Sequence, residues 1–187
     1  MKNTKFILKL AAILFAISFI CTLLLVLCNA LTEDRIAKLQ LEAENAAKIE
    51  VLPGAVEFET ADAPDIAESY IGKDAGGNTI GYCFKAEPAG FGGAITMMVG
   101  ITKDGAVSGV KITSLAETPG LGAKATDAGW ISQFAGKNGE ISVVKTGSTK
   151  DNEINAISGA TITSKAVASG VNSALKAADT LIEKEDK

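Results

Sequence analysis

Histidine is missing from all 187 residues. That removes the Ser-His-Asp triad, His-ligated zinc or haem, and any imidazole acid or base working near neutrality. Cysteine numbers three, of which Cys21 and Cys28 sit inside one apolar run, so Cys83 stands alone and no disulfide framework can staple the rest. Acidic residues are absent before Glu33, and three of the 18 Lys and Arg residues (Lys2, Lys5, Lys9) precede it. From residue 32 onward 15 basic groups therefore face 22 acidic ones, a net of −7. Such a body lacks the cationic footprint of a nucleic-acid partner. No set of side chains is read as a metal site, and no catalytic constellation is assigned to this chain alone.

What is present is hydrophobic. Apolar residues make up 47% of the chain, and mean hydropathy is +0.24 despite 21% charged residues. Much of this comes from residues 10–31, LAAILFAISFICTLLLVLCNAL, which carry no charge. As a helix rising about 1.5 Å per residue, the run spans roughly 33 Å, enough for a bilayer core. Lysines before it and Glu33-Asp34 after it predict a single pass through the cell (inner) membrane. Residues 1–9 would then be cytoplasmic and the remainder extracytoplasmic. A cleaved signal peptide ending at Cys28-Asn29-Ala30 is the rival, but the run exceeds the usual apolar core of such signals. Lipoprotein processing at Cys28 fits less well, because bulky Leu27 precedes it. Cys21 and Cys28 share one helical face; they read as small apolar fillers in preference to ligands or an inter-helix contact.

After the anchor, residues 32–51 are rich in Ala, Glu and Lys with a rough helical period, and Leu52-Pro53-Gly54 supplies a stop. A stalk helix over 32–54 is expected, then an exported domain over 55–183 and a polar tail over 184–187. Residues 55–78 predict an irregular entry with one short strand near 69–71. Fifteen of the 19 glycines fall between 72 and 139, which suits strands and turns. Strands are expected at 79–86, 94–102 and 106–115, with Lys103-Asp104-Gly105 as a hairpin turn. A short helix at 127–134, a strand at 141–146 and a long helix at 163–183 complete an α+β fold, an antiparallel sheet with packed helices.

Two patches could carry chemistry. Residues 116–124, Ala-Glu-Thr-Pro-Gly-Leu-Gly-Ala-Lys, leave a strand with a proline and two glycines, so backbone amides and Lys124 can face a ligand, although a plain turn needs no more. In 155–165, Asn-Ala-Ile-Ser-Gly-Ala-Thr-Ile-Thr-Ser-Lys, small residues and hydroxyls lead into the long helix. A helix N-terminus stabilises a phosphate, and Gly159 and Ala160 leave room for one. N-capping by Thr161, Thr163 or Ser164 is the simpler role, yet a cap uses one hydroxyl and four occur between 158 and 164. Neither GxxxxGK[ST] nor GxGxxG is completed anywhere.

Residues 158–164, Ser-Gly-Ala-Thr-Ile-Thr-Ser, resemble the flavinylation motif of the FMN-binding domain found in the RnfG component of the Rnf electron-transport complex and in the NqrC component of the sodium-pumping NADH:quinone reductase. Glu117-Thr118-Pro119-Gly120-Leu121-Gly122-Ala123-Lys124 is similar to the family's second hallmark. Gly90-Phe91-Gly92-Gly93 and the apolar run after it also fit. Together these cover about residues 80–180, and the spacing and short length are closer to the Rnf component.

The resemblance implies an electron-carrier subunit of a membrane-bound, ion-translocating ferredoxin:NAD+ oxidoreductase, a translocase that needs other membrane and redox subunits. It implies FMN joined through its phosphate to Thr161 by a flavin transferase using FAD and magnesium. Ser158, Gly159, Ala160 and Thr163 would flank the attachment, and Glu117, Thr118, Leu121, Gly122 and Lys124 would border the flavin. The residues themselves leave Thr161 and Thr163 open as acceptors. Two positions depart from the family: Asn155 stands where an Asp is frequent, and Leu115 where a His is common. A stand-alone exported flavin module or redox sensor, or a non-redox anchored module, would share much of this pattern.

Overall fold

The computed structural model describes residues 2–147 and 150–185. Met1 of the expected cytoplasmic segment and Asp186 and Lys187 of the expected tail lie outside the described residues. The chain divides into two compact units, Met1–Glu42 and Ala43–Lys187.

The first unit is helical, part of a helix α1 that runs Lys2–Val51. Its side chains from Phe6 to Leu31 are exposed. By length and composition it can cross a membrane. The expected anchor and stalk are one uninterrupted helix, because Ala, Leu, Glu and Lys sustain it past the apolar run. Thr32, the one hydroxyl at the junction, bonds back to the carbonyls of Cys28 at 2.9 Å and Asn29 at 3.2 Å.

The second unit is built on a five-stranded antiparallel meander in sequential order. Its strands are β1 (Glu57–Ala61), β2 (Glu68–Lys73), β3 (Thr79–Ala86), β4 (Thr96–Thr102) and β5 (Val107–Ser114). Short helical turns follow at Gly122–Thr126, α2 (Ala128–Ile131) and Ser132–Phe134. A small parallel pair, β6 (Ser142–Val144) with β7 (Glu153–Asn155), then precedes the long helix α3 (Thr161–Glu185).

Alternation along β3 and β4 sorts side chains to two faces. Tyr82, Phe84, Met97, Val99 and Ile101 join the main core beneath α3, with Val167, Val171 and Ala178. Cys83 and Met98 point the other way, against Ala47 and Val51 at the end of α1. The two central strands are thus covered on both sides, which is why β4 reads as an apolar run.

The last turns of α1 are built into this unit by specific contacts. The Lys48 ammonium sits 3.5 Å from the centroid of the Tyr70 ring, and Lys85 pairs with Glu44 at 2.7 Å and Glu68 at 3.1 Å. Opposed Gly100 and Gly109 on β4 and β5 leave a groove for Val51; a Cβ on Gly100 would lie 2.2 Å from the Val51 carbonyl oxygen. That carbonyl accepts the Ser108 hydroxyl. The Tyr70 hydroxyl bonds the Glu68 carboxylate, and with Lys85 this holds Glu68 below its ordinary pKa. Burial drives the Cys83 thiol up to about 12.

Two strands escaped the sequence reading. β1 is an edge strand carrying Glu57 and Glu59, a charged pattern that protects an edge but hides the alternation expected of a strand. β7 is three residues long, too short for periodicity.

Candidate functional site

Three loops meet at the N-terminus of α3. In the first, Ile157–Ala160 turns tightly into the helix: Gly159 adopts φ +78, and the Ala160 N–H bonds the Ile157 carbonyl at 2.9 Å. A Cβ on a left-handed residue is disfavoured, which accounts for the glycine. The helix begins at Thr161, so Ala160 precedes it and the hydroxyls of Thr161, Thr163 and Ser164 all lie within its first turn. None of the three expected capping residues occupies the cap position. Ser164, fully buried, instead reaches back, accepting the Ile157 N–H at 2.9 Å and donating to the Ala160 carbonyl at 2.9 Å. Thr163 is 1% exposed, whereas Thr161 is half-buried.

The second loop leaves β5. The N–H groups of Leu121 and Ala123 both bond the Thr118 carbonyl, at 3.1 and 3.3 Å, and Gly120 supplies φ +78 at the turn. The third is the glycine-rich link from β3 to β4, closed by Gly90 N–H to Gly93 carbonyl at 2.7 Å and Ile95 N–H to Pro88 carbonyl at 2.9 Å. Glu117 joins the second loop to the third: its Oε1 accepts the N–H of Phe91 at 2.7 Å and of Gly92 at 3.4 Å.

Between these loops lies a cleft of about 400 Å³. Its wall contains Phe91, Glu117, Thr118, Leu121, Gly122, Gly159, Ala160, Thr161, Ile162 and Thr163. Three of these are large apolar side chains left open to solvent: Phe91 is 70% exposed, Ile162 56% and Leu121 44%. Glu117 is the one ionisable residue among those lining it. The wall includes the first turn of α3, whose leading N–H groups have no intrahelical acceptor and carry the positive end of a 25-residue helix.

Eight of the residues singled out in the sequence come together here: Glu117, Thr118, Leu121, Gly122, Gly159, Ala160, Thr161 and Thr163. Ser158 and Lys124 lie outside the wall. Two wall residues were not anticipated as site residues, Phe91 and Ile162. An aromatic flanked by glycines on both sides, with nothing local to pack on, was the available sign for Phe91. The divergent position Asn155 lies on β7, its carbonyl accepting the Trp130 indole N–H at 2.8 Å and its N–H donating to Gln133 at 2.8 Å. Leu115 packs, partly buried, against the main core. Among the described residues no three of Cys, Asp and Glu assemble into a metal-holding group.

The wall suits a ligand with a planar apolar body and an anionic end. Apolar side chains from two loops and the first turn of α3 can flank the body, while amides at a helix start and small residues at 159 and 160 can admit the anion. Thr161 lines the same cleft.

Comparison with known proteins bears on the same segments. Residues 90–176 match the FMN-binding domain family, and residues 1–51 match the RnfG N-terminal region. The chain is 41% identical to the G subunit of the Na+-translocating ferredoxin:NAD+ oxidoreductase complex of Acetobacterium woodii, over 92% of this chain and 91% of that one. It is 33% identical to the G subunit of the ion-translocating oxidoreductase complex of Methanosarcina acetivorans, over 94% and 96% of the two chains. In fold it is similar to the crystal structure of Shewanella oneidensis NqrC, with a TM-score of 0.54 at 21% identity, covering 70% of this chain and 71% of that one.

Proposed function

The chain belongs to the RnfG family of ion-translocating oxidoreductase complexes, and from that membership we propose that it carries FMN as a phosphoester on Thr161 and relays electrons within such a complex. The observation that carries the attachment is the cleft itself. Its wall has a half-buried threonine, Thr161, at a helix start together with the exposed apolar side chains of Phe91, Leu121 and Ile162.

Each part of the wall has work to do. Phe91, Leu121 and Ile162 would cover the ring and keep water from it, a role consistent with their large exposure around a concave site. The leading N–H groups of α3 would hold the phosphate, with Gly159 and Ala160 small enough to let it approach. Thr161 would anchor it. Of the two threonines that the residue types left open, Thr163 is 1% exposed and Thr161 half-buried, which supports Thr161 as the hydroxyl that a flavin transferase working with FAD and magnesium would use. Flavin, once bound, supplies reversible uptake and release of electrons, and the protein supplies location and environment. Tethering through phosphate makes retention intramolecular, which prevents loss by dilution.

As a family member with a helix able to cross a bilayer, the chain is a membrane protein that works with other subunits of its complex. We place the cofactor domain on the extracytoplasmic side of the cell membrane, because Lys2, Lys5 and Lys9 flank the apolar run at its N-terminal end and acids follow it. Similarity that includes residues 1–51 favours a complex-bound carrier over a stand-alone flavin module.

The test is intact mass with ultraviolet fluorescence of the denatured band, for wild type, Thr161→Ala and Thr163→Ala, each co-expressed with a flavin transferase. A fluorescent band heavier by one FMN ester in wild type and Thr163→Ala, lost in Thr161→Ala, is the expected result. Retention of flavin by Thr161→Ala would move the attachment elsewhere; colourless wild type with active transferase would end the covalent reading.

A further inference from the structure

We infer that Glu117 is a positioning residue: its carboxylate clasps the glycine-rich loop and so fixes Phe91 in the cleft wall. The loop is distant in sequence, and Phe91 itself is 70% exposed, so packing of its ring does not hold the segment in place. What crosses from the opposite loop is the pair of backbone bonds to Glu117 Oε1, at 2.7 Å from Phe91 and 3.4 Å from Gly92. Hydrogen bonds to an ionised acceptor are the stronger kind.

Glycine placement around this side chain supports the same role. A Cβ on Gly90 would lie 2.4 Å from Glu117 Oε1, and one on Gly122 would lie 2.5 Å from Oε2. On Gly92 it would lie 2.0 Å from the Ala116 carbonyl oxygen. None of these three has a left-handed backbone, so conformation does not explain them and space does. Side chains at these three positions would crowd the Glu117 carboxylate and the loop backbone beside it. The side chain lines the cleft and is tied to the loop through Oε1, so its positioning effect on the cofactor runs through Phe91.

The consequence for the cleft rests on the FMN reading above: Phe91, held by Glu117, shields the ring from solvent. The clasp itself does not depend on that reading, and the two can be separated. Hydrogen exchange is measured by mass spectrometry on the full chain in detergent, with peptides covering residues 88–94 read against peptides from α3 as a folding control. Exchange of the 88–94 peptides is expected to quicken by about tenfold or more in Glu117→Ala, the loss of a charged hydrogen bond. It should stay close to wild type in Glu117→Gln, whose amide oxygen accepts the same N–H. Should the alanine variant fail to fold, Glu117→Asp, which withdraws the carboxylate by one methylene, serves in its place.

On flavin-loaded protein, iodide quenching of flavin fluorescence should rise by a similar factor in Glu117→Ala and Phe91→Ala, with the double variant no worse than either. Unchanged exchange in Glu117→Ala, or a Gln variant as fast as the Ala variant, would overturn the clasp. Additive quenching by the two single variants would overturn the route through Phe91. Absence of flavin from wild type would remove the cofactor reading and leave the exchange result to decide the clasp.

Discussion

Ser164 holds Ile157 from inside the first turn of α3: its hydroxyl takes the Ile157 N–H at 2.9 Å while giving its own proton to Ala160 at 2.9 Å. Both groups are buried, so removing the hydroxyl leaves the Ile157 N–H without water or another acceptor. Ser164→Ala is expected to lower stability by about 1–3 kcal/mol, read as a shift in the thermal melt. Because the turn it closes presents Thr161, flavin incorporation should fall as well, even at temperatures where the variant is folded.

A second expectation concerns where the domain begins. Ala47 and Val51 are 2% exposed, and Lys48 is 7% exposed over Tyr70. A fragment starting at residue 43 should melt cooperatively. One starting at residue 53 uncovers Cys83 and Met98 and forfeits the burial of Val51, worth about 1.5–3 kcal/mol by itself, so it should melt markedly lower or lose its transition.

Gly100 and Gly129 make a matched pair of alanine substitutions. At Gly100 the new Cβ would sit 2.2 Å from the Val51 carbonyl oxygen, and Gly100→Ala is expected to cost about 1–3 kcal/mol through forced displacement of the helix end. At Gly129, within α2, nothing lies within 4 Å of the added methyl, and the backbone is not left-handed. Gly129→Ala should be neutral or stabilising by up to about 1 kcal/mol. Chemical denaturation of both variants checks the contrast.

The groups packed on the end of α1 also set a pH profile. Glu68 is held below its ordinary value of 4.5, first by the Tyr70 hydroxyl and then by Lys85, so its contribution is present above pH 4.5 and is lost as pH falls through the lowered value. Cys83 behaves oppositely. Its folded value of about 12 against an ordinary 9.0 means that the unfolded chain releases its proton first, so stability should decline as pH rises from 9 toward 12. Glu68→Gln should flatten the acid limb and Cys83→Ser the alkaline limb. Cys83 in folded protein should also resist iodoacetamide at pH 8 and react once denatured.

Much of this architecture could be read from residue order. Alternation in β5, the hairpin turn at Lys103-Asp104-Gly105 and the period of α3 each follow from a local rule and each lie where expected. The cleft-lining segment at the start of α3 could be found because hydroxyls and small residues before a helix are unusual in that density. What could not be read depends on partners distant in sequence. β1 is a strand because β2 lies beside it, not because Glu57–Ala61 alternates. That Thr163 is buried and Thr161 half-buried is likewise something identical residue types two positions apart cannot disclose. Glu117 looked like a residue that faces a ligand, and only the fold brings the amides of Phe91 and Gly92 to it.

The order of the cleft segments along the chain also sets an order in time. Phe91 and Leu121 are translated before Thr161, so any growing chain that already displays Thr161 has both other walls synthesised. A modifying enzyme that recognises the assembled cleft, and not the short motif alone, would therefore inspect the whole domain before marking it. Loading with cofactor would then double as a certificate that folding is finished.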